Sequence, residues 1–235
     1  HTALRRQRQM CIRDRKCDLF QVYGLTETAG AITILMPEDH DPEKGKLRSC
    51  GKALNSVEIK VVDDEGNEVK TGDIGEVISK SPLNMKGYWN RPDATEEAIK
   101  DGWFYSGDAG FFDDEGYLYI HDRVKDMIVS GGENIYPAEV ENALMSHPEI
   151  ADAAVIGVPD DKWGESVKGF VVLQPDSSLD ETEIISYSRT QIAGYKCPKT
   201  INFIEALPRN PSGKILRREL REPFWEGKDR MVSGN

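Results

Sequence analysis

The chain has 235 residues, and its 30 lysines and arginines against 41 aspartates and glutamates give a formal net charge of −11. This length suits one large domain or two small ones. An acidic chain repels nucleic-acid phosphates and anionic lipids, so we expect no nucleic-acid partner, while a local basic site for a small phosphorylated ligand stays open. No apolar run approaches the ~20 residues of a spanning helix, so we expect no transmembrane segment, although peripheral membrane contact stays open.

Cysteine and histidine usage indicates neither a disulfide framework nor a metal centre. The cysteines are scattered, with no C-x-x-C pair and no histidine at zinc-ligand spacing: Cys11, Cys17, Cys50 and Cys197. We therefore predict no metal site built from His and Cys. Four unpaired thiols fit a reducing compartment, so we expect a cytoplasmic protein.

The first 16 residues, HTALRRQRQMCIRDRK, are basic and follow neither strand nor helix periodicity. An Arg-rich, acid-poor start is also typical of a targeting peptide. We favour a non-native or disordered stretch, because MCIRDR resembles translated sequencing-adapter sequence. Residues 1–16 are therefore left out of the fold prediction.

Residues 17–123 are predicted to form mostly short antiparallel strands. CDLFQVYGLTETAG indicates a strand that enters a polar loop, whereas residues 31–50 follow no regular pattern. Alternating apolar residues around DDEGN and around Asp113–Gly116 predict two hairpins, and GDIGEVISKS predicts another strand. One short helix is expected from Asp93 to Lys100, between a proline and a glycine.

Residues 124–235 follow the pattern of a small α+β domain. Strands in DMIVSGG, ADAAVIGVP, KGFVVLQP and TINFIEALP are interspersed with helices in PAEVENALMSH and SLDETEIISYSRTQIAG. Val140, Ala143 and Leu144 share one face of the first helix, and an N-cap signal and a glycine bound the second. The predicted fold is α/β and α+β, with an incomplete, antiparallel-rich portion before this domain.

Two polar motifs follow predicted strands in the first portion. In YGLTE, residues 23–27, Thr26 could bond a phosphate and Glu27 could hold Mg²⁺, since hard cations prefer oxygen ligands. YSGD, residues 105–108, places the carboxylate of Asp108 at a strand end, where it could accept both hydrogens of a ribose diol. Considered singly, each motif is better explained as an ordinary turn.

Three further motifs lie around and after residue 122. DRVKD contains Arg123, whose planar fork suits ribose or phosphate oxygens, and SGGENI needs a tight turn at Gly131 and Gly132. PRNPSGK lacks the first glycine and the final Ser or Thr of a P-loop, so Lys214 is expected on a stiff, exposed turn. A charged strand end, a hairpin turn and a surface lysine explain these motifs equally well when each stands alone.

In this order and spacing the motifs resemble the adenylate-forming superfamily of acyl-CoA synthetases, aryl-CoA ligases, peptide-synthetase adenylation domains and beetle luciferases. The resemblance covers residues 18–230 and is carried by YGLTE, GEVISKSPLNMKGYWNRP, DGWFYSGDAGFFDDEGYLYIHDRVKDMIVSGGENIYPAEVE, GVPDDKWGE and LPRNPSGKILRREL. It implies that a carboxylate attacks ATP to give acyl-AMP and pyrophosphate. A thiol then takes the acyl group, and the small domain moves between the two steps.

The resemblance also implies roles for residues of the first portion. Tyr23 is expected to stack on adenine, and Gly24 and Thr26 belong to the loop that meets the nucleotide. Glu27 is expected to hold Mg²⁺, and Asp108 to bind the ribose hydroxyls. Thr26 and Glu27 are thereby implied in catalysis as well as in binding.

For the second portion, the resemblance implies that Arg123 helps to grip the ribose and that Lys125 is the hinge of the small domain. Gly131 and Gly132 are expected to line the path of CoA. Lys214 is expected to reach the α-phosphate and the carboxylate during adenylation, which makes it the third implied catalytic residue.

IAGYKCP and SGGENIYPAEVE resemble CoA ligases, and the latter most resembles the fatty-acyl branch. The implied protein is an acyl-CoA synthetase for fatty acids, with ATP, Mg²⁺ and CoA. Aryl-CoA and luciferase-like adenylating enzymes, and a non-catalytic nucleotide-binding remnant, are the alternatives. The Gly-rich phosphate loop that precedes YGLTE in relatives is missing here, so we expect a C-terminal fragment that is inactive alone.

Overall fold

This computed structural model describes residues 18–211 and 213–226, and they form two units divided between Ile120 and His121. Antiparallel strands dominate both units, with a few short helices, which confirms the predicted fold class. The stretch 1–16, Cys11 and Cys17 lie outside the described residues. Within the described ranges, no helix has both the length and the apolar character that crossing a bilayer requires.

The N-terminal unit contains two sheets. The first has the order β1-β2-β3: β1 (Gln21–Leu25), β2 (Gly30–Leu35) and β3 (Lys52–Ala53). The second is built around β7, which pairs with β5, β6 and β8: β4 (Glu58–Val62), β5 (Gly75–Lys80), β6 (Ile99–Lys100), β7 (Trp103–Phe112) and β8 (Leu118–Arg123), whose last residues fall past the unit boundary. One short α-helix, α1 (Pro92–Ala98), directly precedes β6.

Three details of the N-terminal unit differ from the sequence prediction. Strand β2 lies where no regular pattern was expected, because the charged loop that follows it obscured the apolar run GAITIL. The predicted helix ends two residues early at Ala98, where the chain turns into the extended conformation of Ile99. The strand predictions for β4, β5, β7 and β8 and the hairpin between β7 and β8 are confirmed. Around DDEGN the second arm of the predicted hairpin forms only an isolated bridge from Val62 to Glu68.

The strand that carries Tyr23 has a partner on one side only. Strand β1 pairs antiparallel with β2, and Tyr23 stands opposite Thr33. Among the described residues no strand pairs with the other edge of β1. Phe20 and Val22 are 50% and 56% exposed there, so this edge presents apolar surface.

The C-terminal unit is a five-stranded sheet with helices on both faces. The strand order is β10-β9-β12-β11, with β13 parallel to β12: β9 (Ile128–Ser130), β10 (Glu133–Ile135), β11 (Ile150–Asp160), β12 (Gly164–Leu173) and β13 (Thr200–Phe203). The helices are α2 (Pro137–Met145), α3 (Glu181–Gln191) and α4 (Arg217–Trp225).

Helices cover both faces of this sheet. Successive residues of a strand point to opposite faces, so neighbouring residues are buried under different helices. Val155 of β11 belongs to the cluster covered by α2 and α3, whereas its neighbours Ala154 and Ile156 belong to the cluster covered by α4. The predicted apolar face of α2 is confirmed, since its members Val140, Ala143 and Leu144 are buried. Near-continuous apolar strands such as AVIGV are typical of a sheet covered on both faces.

Helix α3 shows how local sequence sets one boundary and not the other. Asp180 accepts a hydrogen bond from the Glu183 amide, and the Glu183 carboxylate accepts one from the Asp180 amide. This capping box satisfies amides that a helix start leaves unpaired, so the predicted start is confirmed. The helix ends at Gln191 instead of at the predicted Gly194, because Ile192 is already extended.

A buried ion-pair network holds α4 to the rest of the C-terminal unit. Arg217 donates to both carboxylate oxygens of Glu141, from Nη2 to Oε2 at 2.7 Å and from Nε to Oε1 at 3.1 Å. Asp126 lies 3.6 Å from Arg217 and 3.0 Å from Arg221. Burial raises the pKa of Glu141 above its usual value, and the facing Arg217 opposes the rise. Such a carboxylate depends on its partner to stay charged.

We predict that Arg217→Met destabilises the C-terminal unit by about 3–5 kcal/mol, because it leaves the Glu141 carboxylate buried and unpaired. Urea unfolding of the 235-residue chain, followed by amide hydrogen exchange in β11 and β12, measures this. Arg218→Met, an exposed neighbour on the same helix, is the matched control. The double change Arg217→Met with Glu141→Leu is expected to recover most of the loss. A single variant as stable as the control contradicts the prediction.

Candidate active site

The two units carry different groups of the predicted site residues. Those of the N-terminal unit are Tyr23, Gly24, Thr26, Glu27 and Asp108. Those of the C-terminal unit are Arg123, Lys125, Gly131, Gly132 and Lys214. The role of each stays a prediction, and the geometry says what each is placed to do.

Tyr23 and Asp108 are brought together in the N-terminal unit. The Tyr23 hydroxyl donates a 2.6 Å hydrogen bond to Oδ2 of Asp108, whose residue is only 6% exposed. Burial, followed by the negative charge of Asp108, raises the pKa of Tyr23 well above its usual value, so the phenol keeps its proton. A carboxylate has about four acceptor positions. It can therefore accept sugar hydroxyls in addition to the bond from Tyr23.

Asp108 is presented by a bulge in the middle of β7, and the expectation that YSGD ends a strand is wrong. In the pairing of β5 with β7, Ile78 stands opposite Tyr105 and Glu76 opposite Ala109. Three residues of β7 therefore face Val77 alone, and the extra residues break the register. Bulges of this kind re-aim side chains and are common beside active sites.

Local hydrogen bonds replace the ladder bonds that the bulge loses. The Ser106 hydroxyl donates to the Val77 carbonyl at 2.5 Å and accepts the Asp108 amide at 3.1 Å. Gly107 has a φ of 68°, a conformation that costs a residue with a Cβ ~1–2 kcal/mol. The bulge thus explains the serine and the glycine of YSGD. The hydrogen bond from Tyr23 explains the aspartate.

Glu76 supports the same bulge and was missed by sequence reasoning. Its Oε1 accepts the Gly107 amide at 2.8 Å, and burial raises its pKa, an effect that this hydrogen bond opposes. The available signal was a glutamate near the start of β5, directly before buried Val77 and Ile78. Its partner lies 31 residues away, so only the strand pairing reveals the contact.

Thr26 and Glu27 lie on a short 3-10 turn after β1. Buried Thr28 holds this turn, since its hydroxyl accepts the Leu25 amide at 2.9 Å. The Glu27 carboxylate accepts the Tyr88 hydroxyl at 2.9 Å, and the Glu27 carbonyl accepts the Met85 amide at 2.7 Å. The segment 85–88, for which no role was predicted, therefore fixes the position of Glu27, while Thr26 is exposed.

Gly24 has a packing reason to be glycine. It lies at a register shift between β1 and β2, and a Cβ built on it would overlap the carbonyl group of Gly30. The close approach lets the chain turn immediately from Tyr23 to Thr26. Gly24 thereby shapes the loop, whatever further contact its backbone makes.

The segment with Arg123 and Lys125 is attached to the C-terminal unit on both sides. Asp122 accepts the Ala138 amide at the start of α2 at 2.8 Å and also accepts the Arg123 amide. Asp126 takes part in the ion-pair network of α4. Lys125 is exposed between these two anchors. Its role as a hinge stays a prediction.

Gly131 and Gly132 form the turn between β9 and β10, with φ values of 62° and 86°. The indole of Trp163 lies against Gly131, where an added Cβ would come within 2.7 Å of the ring. The Gly131 amide also donates to the Trp163 carbonyl at 2.8 Å. Gly131 therefore makes room for an approaching group, and within the unit that group is an aromatic ring.

Lys214 lies at the end of a closed turn before α4. The Asn210 amide donates to the Lys214 carbonyl, and the Lys214 amide donates to the Asn210 side-chain oxygen, both at 2.9 Å. Lys214 is exposed, and its ammonium group forms no ion pair with any residue that the structure describes. This is the stiff, exposed turn that the sequence predicted.

Among the predicted site residues, Glu27 is the one whose carboxylate was expected to hold a hard cation. Across residues 18–211 and 213–226, no group of three or more His, Cys, Asp or Glu side chains is arranged to hold a metal ion. Glu27 offers a single carboxylate, partly accessible and oriented by Tyr88. Mg²⁺ is commonly bound by one or two carboxylates together with substrate phosphates and water. Glu27 fits a metal that arrives with a nucleotide.

Comparison with known families and proteins identifies the family of this chain. Residues 2–89 match the family described as AMP-binding enzyme, and residues 139–214 match the AMP-binding enzyme C-terminal domain. The first match begins inside the stretch 1–16 that was left out of the fold prediction. Fatty acid–[acyl-carrier-protein] ligase ScoC of Streptomyces coeruleorubidus is 45% identical over 92% of this chain and 42% of its own length.

Two further relatives agree. Long-chain-fatty-acid–CoA ligase FadD13 of Mycobacterium tuberculosis is 46% identical over 89% of this chain and 41% of its own. The o-succinylbenzoate CoA synthetase of Bacillus subtilis, solved with its acyl-adenylate intermediate, has a TM-score of 0.80 at 43% identity, over 89% of this chain and 42% of that one. This chain spans about two fifths of the length of these relatives. It belongs to the AMP-binding enzyme family, and its relatives are acyl- and aryl-acid ligases.

Proposed function

We propose that this chain forms part of an ATP-dependent acid–thiol ligase that activates a carboxylic acid as acyl-AMP and passes the acyl group to a thiol. The Tyr23–Asp108 pair carries the proposal, because a buried, oriented carboxylate on a bulged strand suits the two hydroxyls of a ribose. The family gives the pair its context, since the synthetase from Bacillus subtilis was solved with an acyl-adenylate.

In the proposed reaction, Asp108 accepts the ribose hydroxyls while the half-buried ring of Tyr23 offers a face to adenine. Arg123 adds a donor for the ribose, and Thr26, with the turn that Gly24 permits, adds a hydroxyl for the phosphates. These contacts hold the α-phosphate in place for attack by a substrate carboxylate. Such positioning lowers the entropic part of the barrier.

Adenylation joins two anions, so the remaining residues supply positive charge. A carboxylate oxygen forms a bond to the α-phosphorus, and the bond to the leaving pyrophosphate breaks. Lys214 offsets the negative charge that grows at the α-phosphate. Glu27 would hold Mg²⁺, which neutralises phosphate charge when bound, as the same synthetase from Bacillus subtilis was also solved with ATP and magnesium ion.

In the second half-reaction a thiol sulfur attacks the acyl carbon, and AMP leaves. Lys214 and the thiol need the same side of the acyl group, so we infer a rotation of the C-terminal unit about Lys125 between the steps. Gly131 and Gly132 then border the path of the thiol. FadD13 and ScoC, named for CoA and for acyl carrier protein, support either acceptor.

A fatty acid is the substrate that these two relatives favour, and an aryl acid is the alternative that the o-succinylbenzoate synthetase favours. Cytoplasmic localisation is proposed with the reaction, because ATP and CoA are available there. Cys50 and Cys197, the cysteines within the described residues, are not in disulfides and fit that compartment.

We predict that Asp108→Ala, in a full-length protein that carries this sequence, weakens ATP binding about 10- to 150-fold. Each charge-assisted hydrogen bond lost is worth ~1.5–3 kcal/mol. Titration calorimetry with ATP and Mg²⁺ measures the change. Asp114→Ala, an exposed aspartate in the β7–β8 turn, is the matched control. Equal affinities for the two variants would remove Asp108 from the nucleotide site.

We predict that Lys214→Ala separates the two half-reactions. Adenylation should slow by ~10²–10³, by analogy with the loss of one donor to a developing negative charge. Thioester formation from supplied acyl-AMP should change little, because Lys214 has left the site by then. Lys199→Ala, another exposed lysine of the same unit, should affect neither step. An equal loss in both steps is incompatible with the proposed role.

The 235-residue chain by itself is expected to release no pyrophosphate from ATP with Mg²⁺ and a panel of fatty acids. Its described residues supply contacts for ribose, phosphate and one metal ligand, whereas the relatives that it matches are more than twice as long. A coupled pyrophosphate assay decides. Turnover of ~1 s⁻¹ or more, a rate typical of enzymes, would show that these residues suffice.

A further inference from the structure

Arg209 connects the turn that carries Lys214 to the sheet of the C-terminal unit. Its Nη1 donates to the Gly213 carbonyl at 2.6 Å, and its Nη2 donates to Oδ2 of Asp152 at 2.6 Å. We propose that Arg209, held by Asp152, is a positioning residue that sets the direction of Lys214 for adenylation. This inference rests on the proposed function.

The contact acts on the peptide bond directly before Lys214. That bond is planar, so holding the Gly213 carbonyl also fixes the orientation of the Lys214 amide and limits the direction of its Cα. Gly213 has a φ of 82° and, as glycine, would otherwise allow many backbone conformations. The planar fork of an arginine presents its N–H donors in a fixed geometry, so Arg209 can hold a carbonyl and a carboxylate at once.

Asp152 supplies the rigid end of the contact. It lies on β11, where the next two residues, Ala153 and Ala154, are buried, and its Oδ1 accepts the Ala153 amide at 3.1 Å. Arg217 fixes the chain three residues after Lys214 through Glu141. Lys214 therefore lies between two arginine anchors, one on each side along the chain.

The two anchors differ in exposure. Loss of Arg209 and loss of Arg217 are therefore expected to differ in their effect on the stability of the C-terminal unit. The side chains of Arg209 and Asp152 are 35% and 31% exposed, whereas those of Arg217 and Glu141 are 18% and 13% exposed. An exposed ion pair adds little to stability, because water and salt screen it. Loss of Arg209 should consequently leave the fold intact and change how Lys214 is held.

The test introduces Arg209→Met and Asp152→Asn, singly and together, into a full-length protein that carries this sequence. Each single variant should slow adenylation ~10- to 100-fold with little change in the KM for ATP, since a displacement of about 1 Å can cost 10²-fold. Thioester formation from supplied acyl-AMP should be unchanged. The double variant should be no slower than Arg209→Met, because the two residues act through one contact.

Two measurements exclude a general structural effect. In the 235-residue chain, Arg209→Met should speed amide exchange at residues 213–216 and leave the unfolding midpoint unchanged, whereas the exposed control Arg218→Met should do neither. Asp152→Asn keeps the size of the side chain and serves as the second variant if Arg209→Met fails to fold.

Other results of these assays would contradict either the role of Arg209 or the proposed function itself. Adenylation within twofold of the unmodified rate in both single variants, or an equal loss in both half-reactions, would overturn the inference. If the Arg209 inference fails in this way while Lys214→Ala slows adenylation in the same assays, only the role of Arg209 is contradicted and the proposed function is not. If Lys214→Ala itself leaves adenylation unchanged, the proposed function fails and the role of Arg209 fails with it.

Discussion

The hydrogen bond from Tyr23 to Asp108 joins the two sheets of the N-terminal unit across 85 residues of sequence. A buried carboxylate without a donor costs free energy, so its place in the fold depends on a partner that stays protonated. Tyr23 is that partner, since burial and the charge of Asp108 both favour the neutral phenol. The bond thus requires the tight turn after β1 and the bulge in β7 to form together.

This requirement gives the conspicuous residues of two motifs a common explanation. Gly24 lets the chain leave β1 without a clash, and Gly107 lets β7 bulge. Ser106 and Glu76 satisfy the backbone groups that the bulge exposes. The result is a carboxylate that is rigidly held before any ligand arrives, which reduces the ordering cost of binding.

In the C-terminal unit, Lys214 differs from the buried Asp108 in that it is exposed to solvent. Lys214 is exposed on a turn, and the ordering comes from arginines on either side of it. An exposed ammonium on a short, braced turn can enter and leave a site with little desolvation of the rest of the unit. Such a residue suits a step in which charge is needed once and then removed, as a two-step reaction requires.

The similarity to relatives with different acids supports a shared nucleotide chemistry in this part of the chain. Identity to a ligase named for long-chain fatty acids and to one named for succinylbenzoate is nearly the same.

Local pattern was enough to predict several elements of the fold. Alternation predicted β4 and β5, the capping residues predicted the start of α3, and a proline with a three-residue apolar face predicted α2. These signals act within one or two turns of chain, so sequence periodicity contains them. The spacing of the motifs likewise indicated the family before any contact was known.

The contacts that orient the site could not be predicted in this way. The bulge at Ser106–Asp108 depends on the register between β5 and β7, and register is a relation between two strands. Glu76, Tyr88 and Asp152 each meet their partner across at least 31 residues of sequence. Each is an ordinary polar residue in its own segment, and its role follows only from the fold.

Carboxylate-dependent exchange of labelled pyrophosphate into ATP, by a full-length protein that carries this sequence, tests the central claim most directly. Reversible formation of acyl-AMP requires the acid, the nucleotide and Mg²⁺ together, so the account predicts exchange only when all three are present. At an ATP concentration below saturation, exchange should fall when Asp108 is replaced by alanine. Formation of ADP from ATP without any exchange, over a panel of fatty and aryl acids, would contradict the account.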